Sequence, residues 1–236
     1  MKTIGLLGGM SWESTLEYYR AINQGVKNAL GGLHSAKIVL YSVDFGPVEK
    51  MMQAGDWTGT AALLSDAARR IEKAGADFLV ICTNTMHIVA PQIESAIQIP
   101  LLHIADATAE VLVKDNIKTV GLLGTSFTME QPFYRQRLMD GYGLEVLVPD
   151  AEDRQTVHQI IFQELCLGTI VPDSRAAYLR IIHDLAARGA QAVILGCTEI
   201  GMLVRQTDTR VLLLDTTAIH AQKAVSKALE QDSYDI

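Results

Sequence analysis

The chain has 236 residues and a formal net charge of −7, with 49% hydrophobic and 20% charged residues. This length suits one large or two small domains, and the composition is that of a globular protein able to bury a sizeable core. The acidic balance disfavours a general role in binding nucleic acid or anionic membranes, because both need a basic face. A small anionic substrate is not excluded, since donors inside a pocket act locally while distant charges are screened within roughly 10 Å.

The cysteines and the apolar runs indicate the compartment. The chain has three cysteines, too few for a disulfide framework, and this count fits a reducing environment. The apolar run at residues 4–7 ends at two glycines and is too short for the core of a secretion signal. No run approaches the roughly 18 apolar residues of a membrane span. We therefore expect a cytoplasmic protein with no membrane partner.

Short apolar runs alternate with amphipathic stretches of helical length along the chain. Near-continuous apolar strands in such alternation are typical of parallel sheets covered by helices on both faces, which predicts an α/β fold. The predicted strands, in chain order, are residues 3–7, 38–42, 78–81, 101–104, 119–123, 145–148, 192–195 and 211–214. The predicted helices, in chain order, are residues 14–30, 57–74, 87–97, 107–114, 130–140, 154–166, 174–188 and 219–230.

The two halves of the chain contain matching segments. The sequence Lys-Thr-Ile-Gly-Leu-Leu-Gly at residues 2–8 recurs as Lys-Thr-Val-Gly-Leu-Leu-Gly at residues 118–124. A Gly-Ala pair followed by an apolar run leads to Cys82 in the first half and to Cys197 in the second. The same strand-to-turn unit therefore occurs twice, with a thiol at the same point of each copy.

A third pair of segments is looser. Residues 100–106 resemble residues 211–216, and all three pairs occur in the same order, which indicates an internal duplication. We therefore predict two pseudo-symmetric domains of one architecture, each a mainly parallel sheet with helices on both faces. The first predicted domain comprises residues 1–103 plus 215–236, and the second comprises residues 104–214.

Both duplicated thiols are candidate catalytic groups. In open parallel sheets ligands bind at the carboxyl ends of the strands, where Cys82 and Cys197 fall. Inverting a carbon centre requires an acid and a base on opposite faces, and a matched pair of thiols meets this need. The unperturbed thiol pKa, roughly 8.5, is close enough to neutral for modest tuning to favour a thiolate. We expect a helix N-terminus just after each cysteine to lower the pKa in this way.

Polar residues near the same strand ends are candidate substrate ligands. Backbone N–H groups and side chains after each thiol could hold a carboxylate and stabilise charge that develops in the reaction. The two thiols are expected to share one substrate cleft, and residues after the first strand of each half are expected to line it. For Glu199 two roles remain open: orienting the second thiol, or capping a helix. The candidates are Met10, Asn84, Thr85, Thr125, Ser126, Thr198 and Glu199.

Plainer interpretations apply to other residues. A single cysteine after a strand is usually a core residue, and Cys166, which has no duplicate, is expected in the core or a pocket wall. His87 and Cys197 suggest zinc, but zinc sites use closer ligand pairs and further His or Cys, so a packed or capping His87 is favoured and no metal is expected. We find no lysine in a convincing Schiff-base context and no phosphate-loop fingerprint, so no cofactor is expected.

Three motifs in this order carry a family resemblance. Gly-Leu-Leu-Gly-Gly-Met at 5–10, Cys-Thr-Asn-Thr-Met-His at 82–87 and Gly-Cys-Thr-Glu at 196–199 resemble the aspartate/glutamate racemase family, over nearly the whole chain. The resemblance is closest to the branch of aspartate and broad-specificity amino-acid racemases. It implies a cofactor-independent racemase of two α/β domains, often a homodimer, with Cys82 and Cys197 as acid and base. It also implies that a C-terminal helix returns to pack on the first domain.

The motifs depart from those of the specific racemases. Glutamate racemases of the family carry Asp-Ser-Gly in the first motif and Gly-Cys-Thr-His in the last. This chain instead has Gly-Gly-Met at 8–10 and Glu199, so its resemblance to them is weaker. Aspartate racemases of the family use an arginine and a lysine for the side-chain carboxylate. Alignment places Val48, or one of its two successors, at the first position and Cys166 at the second. A neutral or broader range of amino-acid substrates is therefore plausible.

Other functions also fit a two-thiol scaffold. Hydantoin racemisation, maleate isomerisation and malonate decarboxylation are carbon-acid reactions of similar demand. A small-ligand binding protein without turnover is a non-catalytic alternative, which the presence of both cysteines disfavours. Redox signalling is a third, and it predicts a reversible disulfide between Cys82 and Cys197.

Overall fold

The computed structural model describes residues 1–230. The chain divides into two compact units, one comprising Met1–His103 and the chain from His220 onward, and the other comprising Ile104–Ile219. The first predicted domain boundary, between residues 103 and 104, coincides with the boundary between the units. The second predicted boundary, between residues 214 and 215, lies five residues before the observed one. None of the helices within the described residues is long and apolar enough to cross a membrane.

The first unit is built around one parallel sheet. In chain order its elements are β1 (Ile4–Gly8), α1 (Trp12–Leu30), β2 (Ile38–Ser42), α2 (Phe45–Gln53), α3 (Trp57–Lys73), β3 (Phe78–Ile81), a 3₁₀ turn (Thr85–Val89), α4 (Ala90–Ala96) and β4 (Leu101–Leu102). The strand order is β2-β1-β3-β4, and every neighbouring pair is parallel. All residues of β1 and β3 are buried, as expected for central strands covered on both faces.

The second unit repeats this plan. In chain order its elements are α5 (Ile104–Lys114), β5 (Thr119–Gly124), α6 (Ser126–Glu130), α7 (Pro132–Tyr142), β6 (Glu145–Leu147), α8 (Ala151–Gln163), a 3₁₀ turn (Leu165–Leu167), α9 (Pro172–Ala187), β7 (Ala192–Gly196), α10 (Ile200–Leu203), a 3₁₀ turn (Gln206–Asp208) and β8 (Leu212–Asp215). The strand order is β6-β5-β7-β8, again parallel throughout. Strands β3 and β7 therefore hold the same place in their sheets.

In the first unit both faces of the sheet are covered. Ile4 and Leu6 of β1 face a core that includes Tyr18 of α1. On the opposite face there is no space for a side chain at Gly5, because a Cβ there would lie 2.4 Å from Ile71 of α3. Helix α3 therefore packs directly on the strand backbone.

The second sheet is covered in the same way. Val120 and Leu122 of β5 lie in a core with residues of α5 and α7, such as Leu112. Leu123 and Val193 face a separate core formed with α8 and α9. Two parallel sheets with helices on both faces confirm the α/β fold predicted from the alternating pattern.

The last helix, α11 (Thr216–Leu229), begins in the second unit and continues into the first. Ala221, Ala224 and Val225 lie in the same buried core as Ile4 of β1. Their spacing of three and four residues puts them on one face of the helix. The C-terminal helix therefore packs on the first unit, as the family resemblance implies.

Candidate functional site

Cys82 directly follows the last residue of β3. Its backbone N–H donates to the Leu7 carbonyl of β1 at 2.9 Å, and its own carbonyl accepts from Ser14 Oγ of α1 at 2.9 Å. The thiol is fully buried in the core of the first unit. Strand β1 and helix α1 therefore fix the backbone at Cys82 from both sides.

The Gly-Gly-Met turn after β1 has a steric cause. Gly9 has φ +94°, and a Cβ there would lie 2.2 Å from the Val43 carbonyl oxygen, so only glycine fits. The Gly9 N–H donates to Thr15 Oγ1 at 2.8 Å, while Ser11 caps α1 by accepting from the Ser14 N–H. Met10, which is predicted to line the cleft, is buried, and in the sequence it lies between Gly9 and Ser11.

The turn after Cys82 places the other predicted residues of the first unit. Asn84 and Thr85 are both buried, and Thr85 begins the five-residue 3₁₀ turn. The His87 N–H donates to the Asn84 carbonyl, and His87 Nδ1 lies 2.9 Å from the Thr83 carbonyl. A carbonyl only accepts, so Nδ1 carries the proton and His87 ties the turn together.

Three buried histidines cluster at this turn, one of which, His87, belongs to it. The His87 and His103 ring centroids lie 4.4 Å apart, and those of His87 and His220 lie 6.1 Å apart. His220 Nε2 donates to the Leu102 carbonyl at 2.8 Å, so the proton is on Nε2. His220 Nδ1 therefore accepts from the Tyr18 hydroxyl, whose oxygen lies 2.8 Å away. Burial lowers the pKa of His220 to about 4, and burial followed by the neighbouring imidazoles lowers the pKa of His87.

A metal role for His87 finds no support in this cluster. Within residues 1–230 no group of three or more His, Cys, Asp or Glu side chains is placed to hold a metal ion. His87 is instead a packed histidine, and its hydrogen bond to Thr83 orients the segment that follows Cys82.

Cys197 holds the corresponding place in the second unit, directly after β7. Its thiol donates to Glu199 Oε2 at 3.0 Å, and the Thr198 hydroxyl donates to the same oxygen. Glu199 is buried, whereas Cys197 and Thr198 are partly exposed. Glu199 makes no side-chain cap to the short helix α10, so its contacts fit the orienting role and not the capping role.

Thr125 and Ser126 lie at the end of the neighbouring strand β5. The Thr125 hydroxyl caps α6 by accepting from the Thr128 N–H. A Cβ at Gly196 would lie 2.8 Å from the Leu123 carbonyl oxygen, so glycine lets the ends of β5 and β7 approach closely. Within the second unit, Thr125 and Ser126 therefore share a sheet edge with Cys197.

A buried tyrosine marks the surroundings of Cys197. Tyr178 of α9 donates its hydroxyl to the Val157 carbonyl at 3.1 Å. Burial, and after it the nearby Cys197, Glu164, Cys166 and Glu199, raise its pKa. Cys166 is half-buried against the same core as Cys197, which agrees with the expected position in a core or pocket wall.

The expected lowering of the thiol pKa values is wrong for both cysteines. Burial raises the pKa of Cys82, and burial together with the Glu199 carboxylate raises the pKa of Cys197. The helix after Cys197 has only four residues and supplies little dipole, whereas the 3₁₀ turn after Cys82 continues directly into α4, so at Cys82 burial outweighs the helix N-terminus. In this structure the surroundings of both thiols therefore favour the neutral form.

Several supporting residues gave no sequence signal. Ser14 and Thr15 act on the Cys82 and Gly9 backbones, but in sequence they are ordinary first-turn helix residues. His158 of α8 contacts both polar groups of Ser126, although 32 residues separate the two. Only tertiary structure brings such pairs together.

The fold and these strand-end residues define a class of duplicated α/β proteins, with one cysteine after the equivalent strand of each sheet. The family model described as Asp/Glu/Hydantoin racemase matches residues 7–224 of this chain. The chain therefore belongs to the Asp/Glu/hydantoin racemase family.

Individual relatives agree with this assignment. A candidate Asp/Glu racemase from Yersinia pestis, known from a crystal structure, is 57% identical in sequence to this chain. The match covers 98% of this chain and 100% of that chain, with a TM-score of 0.92. An aspartate racemase homologue from Pyrococcus horikoshii OT3 is 34% identical, with the same coverages and a TM-score of 0.84. The broad-specificity amino-acid racemase RacX of Bacillus subtilis is 27% identical over 168 residues, which are 71% of this chain and 72% of RacX.

Proposed function

We propose that this chain is a cofactor-independent amino-acid racemase in which Cys82 and Cys197 act on opposite faces of the substrate α-carbon. The observation that carries the proposal is their equivalence, since each thiol follows the same strand of a duplicated sheet. Membership of the racemase family supports the reaction class. A homodimer in the cytoplasm is part of the proposal and rests on the family resemblance and the cysteine count.

The proposed reaction needs one thiolate and one thiol. The thiolate removes the α-proton from one face, and the electron pair left on the carbon delocalises into the α-carboxylate. The opposite thiol then donates its proton to the other face. The product is the mirror-image amino acid, and the two sulfurs have exchanged roles, so no oxidant or reductant is consumed.

The raised pKa values determine what must start this cycle. A neutral thiol is a poor base, so one cysteine has to lose its proton when substrate binds or when the pH rises. The substrate ammonium group brings a positive charge, and a nearby positive charge favours the thiolate. Glu199 opposes ionisation of Cys197, so we propose that Cys197 is the proton donor at rest and Cys82 the first base.

The remaining predicted residues are proposed to bind the substrate. Buried Asn84 and Thr85 in the first unit, and Thr125, Ser126 and Thr198 in the second, offer donors at the strand ends. Met10 supplies an apolar wall.

The substrate range is proposed to be broad or neutral. Alignment places Val48, Glu49 or Lys50 at the carboxylate-binding arginine of aspartate racemases, and Val48 is fully buried in α2 and offers no charge. Cys166, at the position aligned with the lysine, offers no cationic group. The complete pair of cations on which aspartate specificity depends in that branch is therefore missing.

The direct test is proton exchange at the α-carbon. We expect the protein, incubated with single L-amino acids in deuterated water, to yield D-enantiomers carrying deuterium at that carbon. NMR and chiral chromatography measure the two products, across acidic, neutral and basic amino acids.

Three outcomes would redirect the proposal. Turnover of a hydantoin, maleate or a malonate, with no exchange on any amino acid, would assign a different carbon-acid reaction. Saturable amino-acid binding without exchange would indicate a binding protein. A disulfide between Cys82 and Cys197 in non-reducing mass spectrometry, formed reversibly and without turnover, would favour redox signalling.

Glu199→Gln is expected to make Cys197 more reactive. The substitution removes the carboxylate that accepts from the thiol and raises its pKa, so the thiolate fraction at a given pH should increase. A hydrogen bond to a charged group contributes about 1.5–3 kcal/mol, which corresponds to a roughly tenfold or larger increase in alkylation rate. Iodoacetamide labelling followed by peptide mass spectrometry measures this rate.

Cys82 serves as the internal control for that experiment. It is buried in the first unit, so its labelling should stay slow in both proteins, and faster labelling would reveal a loosened fold. An unchanged or slower labelling rate at Cys197 would contradict the role assigned to Glu199.

A further inference from the structure

His158 contacts both polar groups of Ser126. The Ser126 N–H donates to His158 Nδ1 at 3.2 Å, and Ser126 Oγ lies 3.2 Å from the same nitrogen. Because a backbone N–H can only donate, Nδ1 is the acceptor and the imidazole proton sits on Nε2. The neutral imidazole thus engages the groups that Ser126 would otherwise offer to a ligand.

The environment of His158 keeps it neutral but able to titrate. The half-buried ring contacts Phe127 and Phe162, with centroid distances of 6.2 and 4.9 Å. The facing charges are Glu130 of α6 and Arg154 of α8, which pair with each other at 2.8 Å. Burial lowers the pKa of His158, and Glu130 acts in the opposite direction.

Protonation of His158 would reverse the polarity of this contact. Nδ1 would then carry a proton, so it could no longer accept from the Ser126 N–H, although it could still donate to the Ser126 hydroxyl oxygen. The N–H would be released, the hydroxyl proton would turn away from the ring, and a positive charge would stand behind both. Each of these changes favours a carboxylate on Ser126.

We propose that His158 is a positioning residue that controls the hydrogen-bond donors of Ser126, so that protonation of His158 strengthens binding of the substrate carboxylate. This inference rests on the proposed function, because it takes Ser126 as a substrate ligand. It adds a pH-dependent control of affinity that belongs to the second unit alone.

The test measures binding without turnover. The probe is 2-aminoisobutyrate, an amino acid with no α-proton, whose carboxylate and ammonium groups do not titrate between pH 5 and 8. Calorimetric titration should show binding by the wild-type protein about tenfold tighter at pH 5 than at pH 7.5, the gain of one charge-assisted hydrogen bond. His158→Asn retains an acceptor near the Nδ1 position but does not titrate, so its affinity should be constant over this range.

Two further measurements keep the test decisive. His183→Asn changes an exposed histidine of α9 in the same unit and should preserve the wild-type pH dependence. In the unliganded wild-type protein, the NMR shift of the Ser126 amide should titrate with the same midpoint as the His158 ring. This second measurement does not depend on whether His158→Asn folds.

The outcomes separate this inference from the proposed function. Wild-type affinity that is constant with pH, a pH dependence that persists in His158→Asn, or different midpoints for Ser126 and His158 would each overturn the role of His158. None of these results depends on racemisation. Conversely, a protein that fails to racemise any amino acid but shows the expected binding would refute the proposed function and leave the His158 contact intact.

Discussion

Cys82→Ala and Cys197→Ala are each expected to abolish inversion in both directions. In the proposed mechanism, each substitution removes the acid or base for one face of the α-carbon, a role that the thiol assigned to the opposite face does not fill. Positioned general acids and bases contribute about 10²–10⁴-fold, so kcat for racemisation should fall by at least that range. Polarimetry or chiral chromatography, started from each enantiomer separately, measures the loss.

The two variants should differ in what they retain. The surviving thiol can still remove a proton from its own face and return a solvent-derived one, without inversion. Cys82→Ala should therefore exchange deuterium into one enantiomer only, and Cys197→Ala into the other. This reciprocal pattern assigns a face to each sulfur, which a general loss of structure cannot imitate.

Cys166→Ala is the matched control. Cys166 is the third thiol of the chain, but it lies in a 3₁₀ turn before α9 and not at the end of a strand. This variant should retain most of the racemase activity. Full activity in either Cys82→Ala or Cys197→Ala, with folding verified by circular dichroism, would end the two-thiol mechanism.

The strands were predictable because their signal is local. The runs leading to Cys82 and Cys197 are continuous and apolar, and a repeated Gly-Ala pair introduces each one, so both the strands and their equivalence could be inferred from sequence. Helix α2 was missed because Phe45–Gln53 has a proline near its start and a short amphipathic pattern. Its Asp44 cap, which accepts from the Gly46 N–H, becomes clear only with the backbone conformation.

The protonation of the site was not predictable from sequence. The lowered thiol pKa was expected from the helix after each cysteine, yet burial has the larger effect, and burial depends on the completed core. The cluster of His87, His103 and His220 shows the same limit, since His220 comes from α11 at the other end of the chain. Sequence patterns located the strand ends, but not the electrostatic environment there.

That histidine cluster is expected to make the fold sensitive to acid. His220 has a folded-state pKa of about 4 against 6.5 for an exposed histidine. Well above pH 6.5 neither state is protonated, so there His220 has no effect on stability. Between pH 6.5 and 4 the unfolded chain binds a proton at His220 and the folded protein does not, so the free energy of unfolding decreases as the pH is lowered. The loss approaches roughly 3 kcal/mol, at about 1.4 kcal/mol for each unit of difference.

Urea denaturation at pH 7.5, 6.5, 5.5 and 4.5 measures this loss. Carboxylates also contribute to acid unfolding, so the informative quantity is the difference between the wild-type protein and His220→Gln. The glutamine amide can still donate to the Leu102 carbonyl but cannot titrate. The variant should be less stable at pH 7.5, because it loses the hydrogen bond from Tyr18, but its stability should fall less steeply towards pH 4.5.

His34→Gln provides the comparison at a surface site. His34 is exposed in the loop before β2, so its replacement should leave the wild-type slope unchanged. Equal slopes for the wild-type protein and His220→Gln would mean that the folded protein accepts a proton at His220 as readily as the unfolded chain does. Burial of His220 and the hydrogen bond from Tyr18 make that outcome unfavourable, since protonation at Nδ1 would require the Tyr18 hydroxyl to turn from donor to acceptor inside the core.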